Sequence, residues 1–349
     1  MELYISIPLF IVSLFLVIKG GDIFVDASIK IAKKTKIPNI IVGATIVSIA
    51  TTLPELIVSI LASSQGSFDL AIGNAIGSII CNTSLICGIS LAFAPVIINN
   101  KTSSIKNYLL MLGIILTGIF SIGIENGTVA GEINLFEGAL LLILFVAFMW
   151  TNVNDAKREL KELKELRIKN QQLEEYSANG EDPEKTPPVK EKLSKLLLFF
   201  ILGAGMVAAG AFGLVESATA IATSMHISEA VIGLTIVAIG TSLPELVTTI
   251  TSLRKKSSSL GYGNVIGANI LNITLIMGTS ACISGTNGLP INFWTLVVSI
   301  PLALVVNAIF LLPMMSKQRT FRWQGITLLA IYVAYLAFLI TMTLNGITV

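Results

Sequence analysis

Two glutamates, Glu55 and Glu245, stand inside long apolar runs of this 349-residue chain. Each follows a proline, Pro54 or Pro244, and each lies just after a pair of hydroxyl residues, Thr51-Thr52 or Thr241-Ser242. A carboxylate at the depth of a bilayer costs several kcal/mol unless it is protonated, paired or coordinating a cation. Only one basic residue, Lys19, falls inside an apolar run, so pairing is not available from nearby sequence. The surrounding chemistry is all oxygen: carboxylates, hydroxyls, amides and main-chain carbonyls. With no histidine and no clustered cysteine in these runs, soft transition metals are a poor match. Hard cations fit, since Ca²⁺ takes six to eight oxygens at about 2.3–2.6 Å. Two facing glutamates balance one divalent or two monovalent cations, and competition for the same charge is a physical basis for exchange.

Helical spacing puts these groups on shared faces. Ser48, Thr52, Glu55 and Ser59 recur at i, i+4, i+7 and i+11, and Ala238, Ser242, Glu245 and Thr249 repeat the stripe. Asn74, Ser78 and Asn82 form an i, i+4, i+8 row, mirrored by Asn264, Ala268 and Asn272. Pro54 and Pro244 lack an N–H and clash with the carbonyl four residues back, at Ala50 and Gly240, so helix breaks are expected there. Blander readings exist for each feature. The prolines could simply kink a helix, the small polar residues could glue helices together, and the glutamates could be protonated and hydrogen-bonded. The last would have to hold twice, at equivalent positions.

The elements that must position these residues are membrane spans. Of all residues 54% are hydrophobic and 13% charged, and the mean hydropathy is +0.83. Soluble domains carry about 25% charged residues, so a soluble enzyme is excluded. Ten apolar runs long enough to cross a membrane as helices fall at about 4–28, 39–63, 70–95, 107–124, 134–152, 196–220, 230–252, 260–283, 292–313 and 323–345. Glu2 in place of a positive n-region makes the first run a retained span rather than a signal peptide. Of the 23 basic residues, 22 fall in alternate connections, which by the positive-inside rule places both termini outside and the long 153–195 loop in the cytoplasm. The protein is expected in the cell membrane. No basic domain suggests nucleic acid, no G-x-x-x-x-G-K-[ST] loop suggests a nucleotide, and protein partners are not readable. Cys81, Cys87 and Cys282 suggest no disulfide framework, and His226 reads as a surface residue.

The chain repeats itself at one constant offset, the spacing that separates Glu55 from Glu245. Gly43–Leu56 matches Gly233–Leu246 at ten of fourteen positions, and Gly73–Asn82 pairs with Gly263–Asn272 at the same offset. Each copy holds five spans, so the second enters the membrane from the opposite side. The fold expected is an all-α polytopic membrane protein of ten transmembrane helices, arranged as two inverted five-helix repeats. Its units are 1–152, a cytoplasmic linker 153–195 with a solvated helix near its start, and 196–349. Secondary transporters of this build hold substrate near the midplane where the repeats meet.

The segments Gly43-x-Thr…Thr51-Thr-Leu-Pro-Glu55 and Gly240-Thr-Ser-Leu-Pro-Glu245, completed by Gly73–Asn82 and Gly263–Asn272, resemble the two α-repeats of the calcium/cation antiporter superfamily, in its prokaryotic sodium/calcium exchanger branch. The resemblance implies exchange of Ca²⁺ for Na⁺ by alternating access, with transported ions as ligands and no cofactor. It implies calcium ligation by Glu55 and Glu245 with the carbonyls of Thr51 and Thr241. It also implies sodium sites at Ser48, Thr52, Ser78, Ala238 and Ser242 beside the glutamates, with Asn82 and Asn272 as further lining residues. The first and sixth spans would slide across the remainder. Three departures stand out: Ala268 lacks the hydroxyl of Ser78, Asn272 occupies a position that is often aspartate in relatives, including potassium-dependent ones, and Ala50-Thr51-Thr52 replaces the usual Gly-Thr-Ser. A cation/proton exchanger is the alternative within the carrier class, and a cation channel the alternative from another class.

Overall fold

The computed structural model describes residues 3–37, 39–95, 103–122, 124–125, 128–129, 131–176, 191–224, 238–317 and 319–345. The chain is a polytopic helical membrane protein. Among the described residues eight helices are long and apolar enough to cross a bilayer. Helix α1 spans Leu3–Thr35. Helix α2 joins Asn39–Val42, a π-helical turn Gly43–Val47 and Ser48–Ser64. Helix α3 joins Phe68–Cys81, a second π turn Asn82–Cys87 and Gly88–Phe93. Then follow α4 (Ser103–Phe120), α5 (Leu135–Tyr176) and α6 (Leu193–Ser224). A four-residue turn of helix, Ala238–Thr241, precedes α7 (Leu243–Arg254). Helix α8 joins Ser258–Leu271, a π turn Asn272–Ile276 and Met277–Ser284. Helix α9 starts as the π turn Thr295–Ser299 and continues as Ile300–Lys317, and α10 is Arg322–Leu344.

Two expected spans do not reach that length. The apolar part of α4 is Lys106–Phe120, and α7 has 12 residues after a segment, 225–237, that lies outside the described residues together with His226. Helix α5 does not stop at the expected boundary near 152 but runs unbroken to Tyr176, because interleaved Glu and Lys at helical spacing continue the helix where the apolar run ends. Two small strand pairs were not legible. Ile124–Glu125 pairs with Thr128–Val129, and Gly131–Ile133 pairs with Leu289–Ile291, tying the connection before α5 to the one before α9.

Burial separates centre from rim. In α3 and α8, 72% and 78% of the best spanning window is buried, against 28% in α1 and 22% in α5 and α10. Ile72, Ile76, Ile79 and Ile80 of α3 meet Ile270, Ile273 and Met277 of α8 in the main core. The outer helices turn Ile11 and Phe15, Ile143 and Trp150, or Ile326 and Val333 outward. Such an apolar surface is stable against hydrocarbon rather than water.

The repeat survives in the backbone. Ser67 N donates to Ala62 O at 2.9 Å, and at the equivalent place in the second copy Ser257 N donates to Ser252 O at 2.8 Å. The residue between, Gly66 or Lys256, is left-handed, with φ +77° or +54°. That helix-ending turn suits a glycine, yet the second copy forms it with a lysine. The π turns beginning at Asn82 and Asn272 are equivalent in the same way.

Helices α1 and α6 pair around Phe24 and Phe200, whose rings lie 4.6 Å apart, in a second core that also takes in Val42 and Val47 of α2 and Leu260 of α8. They approach closely because glycines face each other. A Cβ on Gly203 would lie 2.6 Å from Phe24 N, and one on Gly20 would lie 2.7 Å from Met206 Cβ. Small residues let backbones approach where hydrophobicity gives no driving force between helices. Gly205, two residues on, faces open space. Gly203→Ala should therefore destabilise the detergent-solubilised protein by about 1–3 kcal/mol, while Gly205→Ala should be neutral or gain up to about 1 kcal/mol. Thermal melts of the two variants would check this, and equal melting temperatures would refute the close packing.

Candidate cation site

Glu55 on α2 and Glu245 at the start of α7 are both fully buried. Thr52, one turn before Glu55, donates its hydroxyl to Glu245 Oε1 at 3.2 Å, so the two equivalent helices meet at their carboxylates. The other three carboxylate oxygens, both of Glu55 and Oε2 of Glu245, have no hydrogen-bond partner among the described residues. Neither group has an ion pair among those residues. Charged basic side chains gather elsewhere: Lys30 pairs with Glu191 at 2.9 Å, and Lys255 bonds Asp26 Oδ1 at 2.9 Å and Asp22 O at 2.7 Å. The Lys30 hydrogen bond holds the Glu191 carboxyl below the usual range.

Hydroxyls and amides from α3 and α8 close around the pair. Ser242 Oγ donates to Ser78 Oγ at 3.4 Å, linking the start of α7 to α3. Thr51 Oγ1 donates to Asn264 Oδ1 at 3.1 Å, linking α2 to α8. Asn74 Nδ2 donates to the Glu55 carbonyl at 3.0 Å and to Ser59 Oγ at 2.9 Å, fixing the turn on which Glu55 sits. Asn82 and Asn272 are fully buried, and neither amide atom of Asn272 has a partner among the described residues. Ser48 is buried but donates to Thr45 O of its own helix at 3.0 Å, held there against Gly267 of α8. Ala238 and Thr241 lie in the short helix before α7, and their side chains lie outside the described ones.

The prolines behave differently from expectation in one half. Pro244 stands at the start of α7, after a break at Ser242 (φ −88°, ψ 5°), where its missing N–H costs nothing. Pro54 sits inside the continuous stretch Ser48–Ser64, and the irregular turn of α2 lies earlier, at Gly43–Val47. The break expected at Pro54 is thus absent: a single lost backbone bond does not end a helix whose flanking turns are buried.

Several polar residues at this depth escaped the sequence rows. Asn269, Thr83 and Asn307 are fully buried and joined to Asn82 by hydrogen bonds. An isolated amide in the apolar run Val-Val-Asn307-Ala was itself a signal.

The arrangement is a membrane-buried cluster of hard oxygen atoms around two carboxyl groups, a chemistry that suits a cation carrier. The sodium/calcium exchanger protein family matches residues 5–154 and 195–341, and the chain belongs to that family of membrane transporters rather than to any class of enzyme. It is similar to an uncharacterized membrane protein of Methanocaldococcus jannaschii, with 33% identity over 96% of this chain and 98% of the relative. The sodium/calcium exchanger MaX1 of Methanosarcina acetivorans is 28% identical over 96% of this chain and 98% of its own. Inner membrane protein YrbG of Escherichia coli is 34% identical over 80% of each chain. Among solved structures, the sodium-calcium exchanger NCX_Mj soaked with Na⁺ and Sr²⁺ superposes with a TM-score of 0.77 at 29% identity, covering 96% of this chain and 99% of that one.

Two ionised carboxylates packed without a counter-ion would oppose folding, and a cation between them would relieve that. Glu55→Gln or Glu245→Gln should stabilise the protein in cation-depleted detergent by on the order of 1 kcal/mol or more, read as a raised melting temperature. Added Ca²⁺ should stabilise the wild-type protein and leave both variants nearly unmoved. A variant that melts lower without cation and still responds to Ca²⁺ would contradict this arrangement.

Proposed function

We propose that the chain exchanges Ca²⁺ for Na⁺ across the membrane by alternating access. The observation that carries this reading is the pair Glu55 and Glu245: two fully buried carboxylates, three of whose four oxygens lack a partner among the described residues. That charge balances one Ca²⁺ or two Na⁺, so each ion displaces the other. Family membership and the likeness to MaX1 and NCX_Mj support the same choice of ions.

In this reading the glutamates and the carbonyls of Thr51 and Thr241 hold Ca²⁺. Ser48, Thr52, Ser78, Ala238 and Ser242 contribute to sodium sites around the same carboxylates, with Asn82 and Asn272 lining them. Ala268 removes one hydroxyl from the sodium set, and the neutral Asn272 makes potassium unnecessary. The fold is two inverted five-span halves, 1–152 and 196–349, joined by 153–195 on the cytoplasmic side with both termini outside, in the cell membrane. The α1–α6 pair slides along the rest.

The test is ⁴⁵Ca²⁺ uptake into proteoliposomes preloaded with Na⁺, against K⁺-loaded vesicles and vesicles carrying a pH gradient. Uptake should require the outward Na⁺ gradient, and Glu55→Gln or Glu245→Gln should remove more than about nine-tenths of it, a loss of roughly 1.4 kcal/mol or more in transition-state terms. Uptake driven by the pH gradient alone would move the protein to calcium/proton exchange. Wild-type uptake in both variants would overturn the site.

A further inference from the structure

A chain of hydrogen bonds outside the expected ligand rows runs from a backbone carbonyl to Asn82. Asn307 of α9 donates Nδ2 to Ala303 O at 2.8 Å. A carbonyl can only accept, so this bond fixes which end of the Asn307 amide is the donor. Its Oδ1 then faces the opposite way and accepts from Thr83 Oγ1 at 3.1 Å and from Asn269 Nδ2 at 3.4 Å. Asn269 Nδ2 also donates to Thr83 Oγ1 at 2.7 Å, which is consistent because that hydroxyl's own proton is committed to Asn307. With its nitrogen turned to Thr83 and Asn307, Asn269 presents Oδ1 to Asn82, whose Nδ2 donates at 3.2 Å. The polarity set at Ala303 O thus passes through three amides without ambiguity. Its end product is Asn82 Oδ1, a fully buried carbonyl oxygen with no partner among the described residues.

The relay is one-sided. At the repeat offset, Asn269 corresponds to Ile79, Thr83 to Ile273 and Asn307 to Thr117. Asn269 and Thr83, one from each copy, thus each have an isoleucine as repeat counterpart, and both isoleucines sit in the same core. Packing alone does not require the polar chain. Its counterpart amide, Asn272, begins the equivalent π turn with both amide atoms unpartnered among the described residues.

The geometry points to Asn307 as a positioning residue that acts through Asn269 and Thr83 to hold the Asn82 side-chain carbonyl toward the cation. This rests on the cation site proposed above. Without the anchor, the Asn82 amide can turn its N–H₂ inward, which repels a cation instead of binding it. Outer partners that orient a metal ligand are worth on the order of ten- to a hundredfold in affinity.

The experiment reads cation affinity from the rise in melting temperature of the purified, full-length protein as Ca²⁺ or Na⁺ is added, so it does not depend on which gradient drives transport. Asn307→Leu should raise the half-saturating Ca²⁺ concentration about tenfold or more. An Asn82→Asp background presents an oxygen in either orientation, so there Asn307→Leu should shift the midpoint by less than about twofold. Thr83→Val, which keeps the shape, should shift it in the same direction by less, and it keeps the test open if Asn307→Leu fails to fold. An unchanged midpoint in Asn307→Leu and Thr83→Val would overturn the relay, as would equal shifts in both backgrounds, the mark of a merely structural residue. If wild-type uptake ignores Na⁺ while the midpoints behave as expected, the exchange reading fails and the relay stands. If no cation raises the wild-type melting temperature, both fail.

Discussion

The rest of the structure answers to one constraint: two carboxylates are buried where water cannot solvate them and where no described basic side chain reaches them. Burying an ionised group uncompensated is among the largest single penalties a fold can carry. A permanent lysine or arginine partner would remove that penalty and with it any reason to bind a mobile cation. The protein instead surrounds Glu55 and Glu245 with neutral dipoles: Thr52 on one carboxylate, Asn74 on the carbonyl of Glu55, Thr51 tied to Asn264. Dipoles lower the cost without cancelling the charge. Lys30 and Lys255 instead find Glu191 and Asp26, away from the two glutamates.

Holding such a pair also demands a stiff frame. The most buried helices, α3 and α8, carry the π turns that begin at Asn82 and Asn272. A π turn frees backbone geometry locally and is common at functional positions, yet here each is locked into the main core by isoleucines on either side. By contrast α1 and α6 meet along glycines, around a smaller second core at Phe24 and Phe200 that α2 and α8 share. A glycine seam brings two backbones close where larger side chains would hold them apart. The frame and the pair are thus built from different packing chemistry.

Much of this was legible because it is periodic. The stripe Ser48, Thr52, Glu55, Ser59 follows from the helical repeat, and all four are buried as that face requires. The constant internal offset located the second carboxylate and even anticipates paired helix-ending turns at Gly66 and Lys256. What stayed hidden is non-local or asymmetric. The pairing of Gly131–Ile133 with Leu289–Ile291 joins segments from opposite halves of the chain, and strands this short leave no pattern of their own. The continuous helix through Pro54 was missed because proline's local cost was weighed without the burial that sustains the helix around it. Asn269 and Asn307 were passed over because rows of i, i+4 spacing, doubled by a repeat, direct attention to what the copies share.

That last omission has a physical lesson. Duplication supplies two equivalent charges, but equal halves would offer a cation the same dipoles from both sides. The differences fall among the neutral ligands. Ser78 faces Ser242 while its repeat counterpart is Ala268, and Asn82 is bonded to Asn269, itself tied to Thr83 and Asn307, while the Asn272 side chain has no hydrogen-bond partner among the described residues. Under the proposed reading, charge sets how many cations enter, since two carboxylates balance two positive charges whichever ion brings them. Dipoles of fixed orientation then discriminate between ions, because a small divalent ion gains more from each well-aimed carbonyl than a monovalent one does. An amide that can flip contributes little to that discrimination. On that reading selectivity resides in the asymmetric, hydrogen-bonded side of the site, and capacity in its symmetric pair of glutamates.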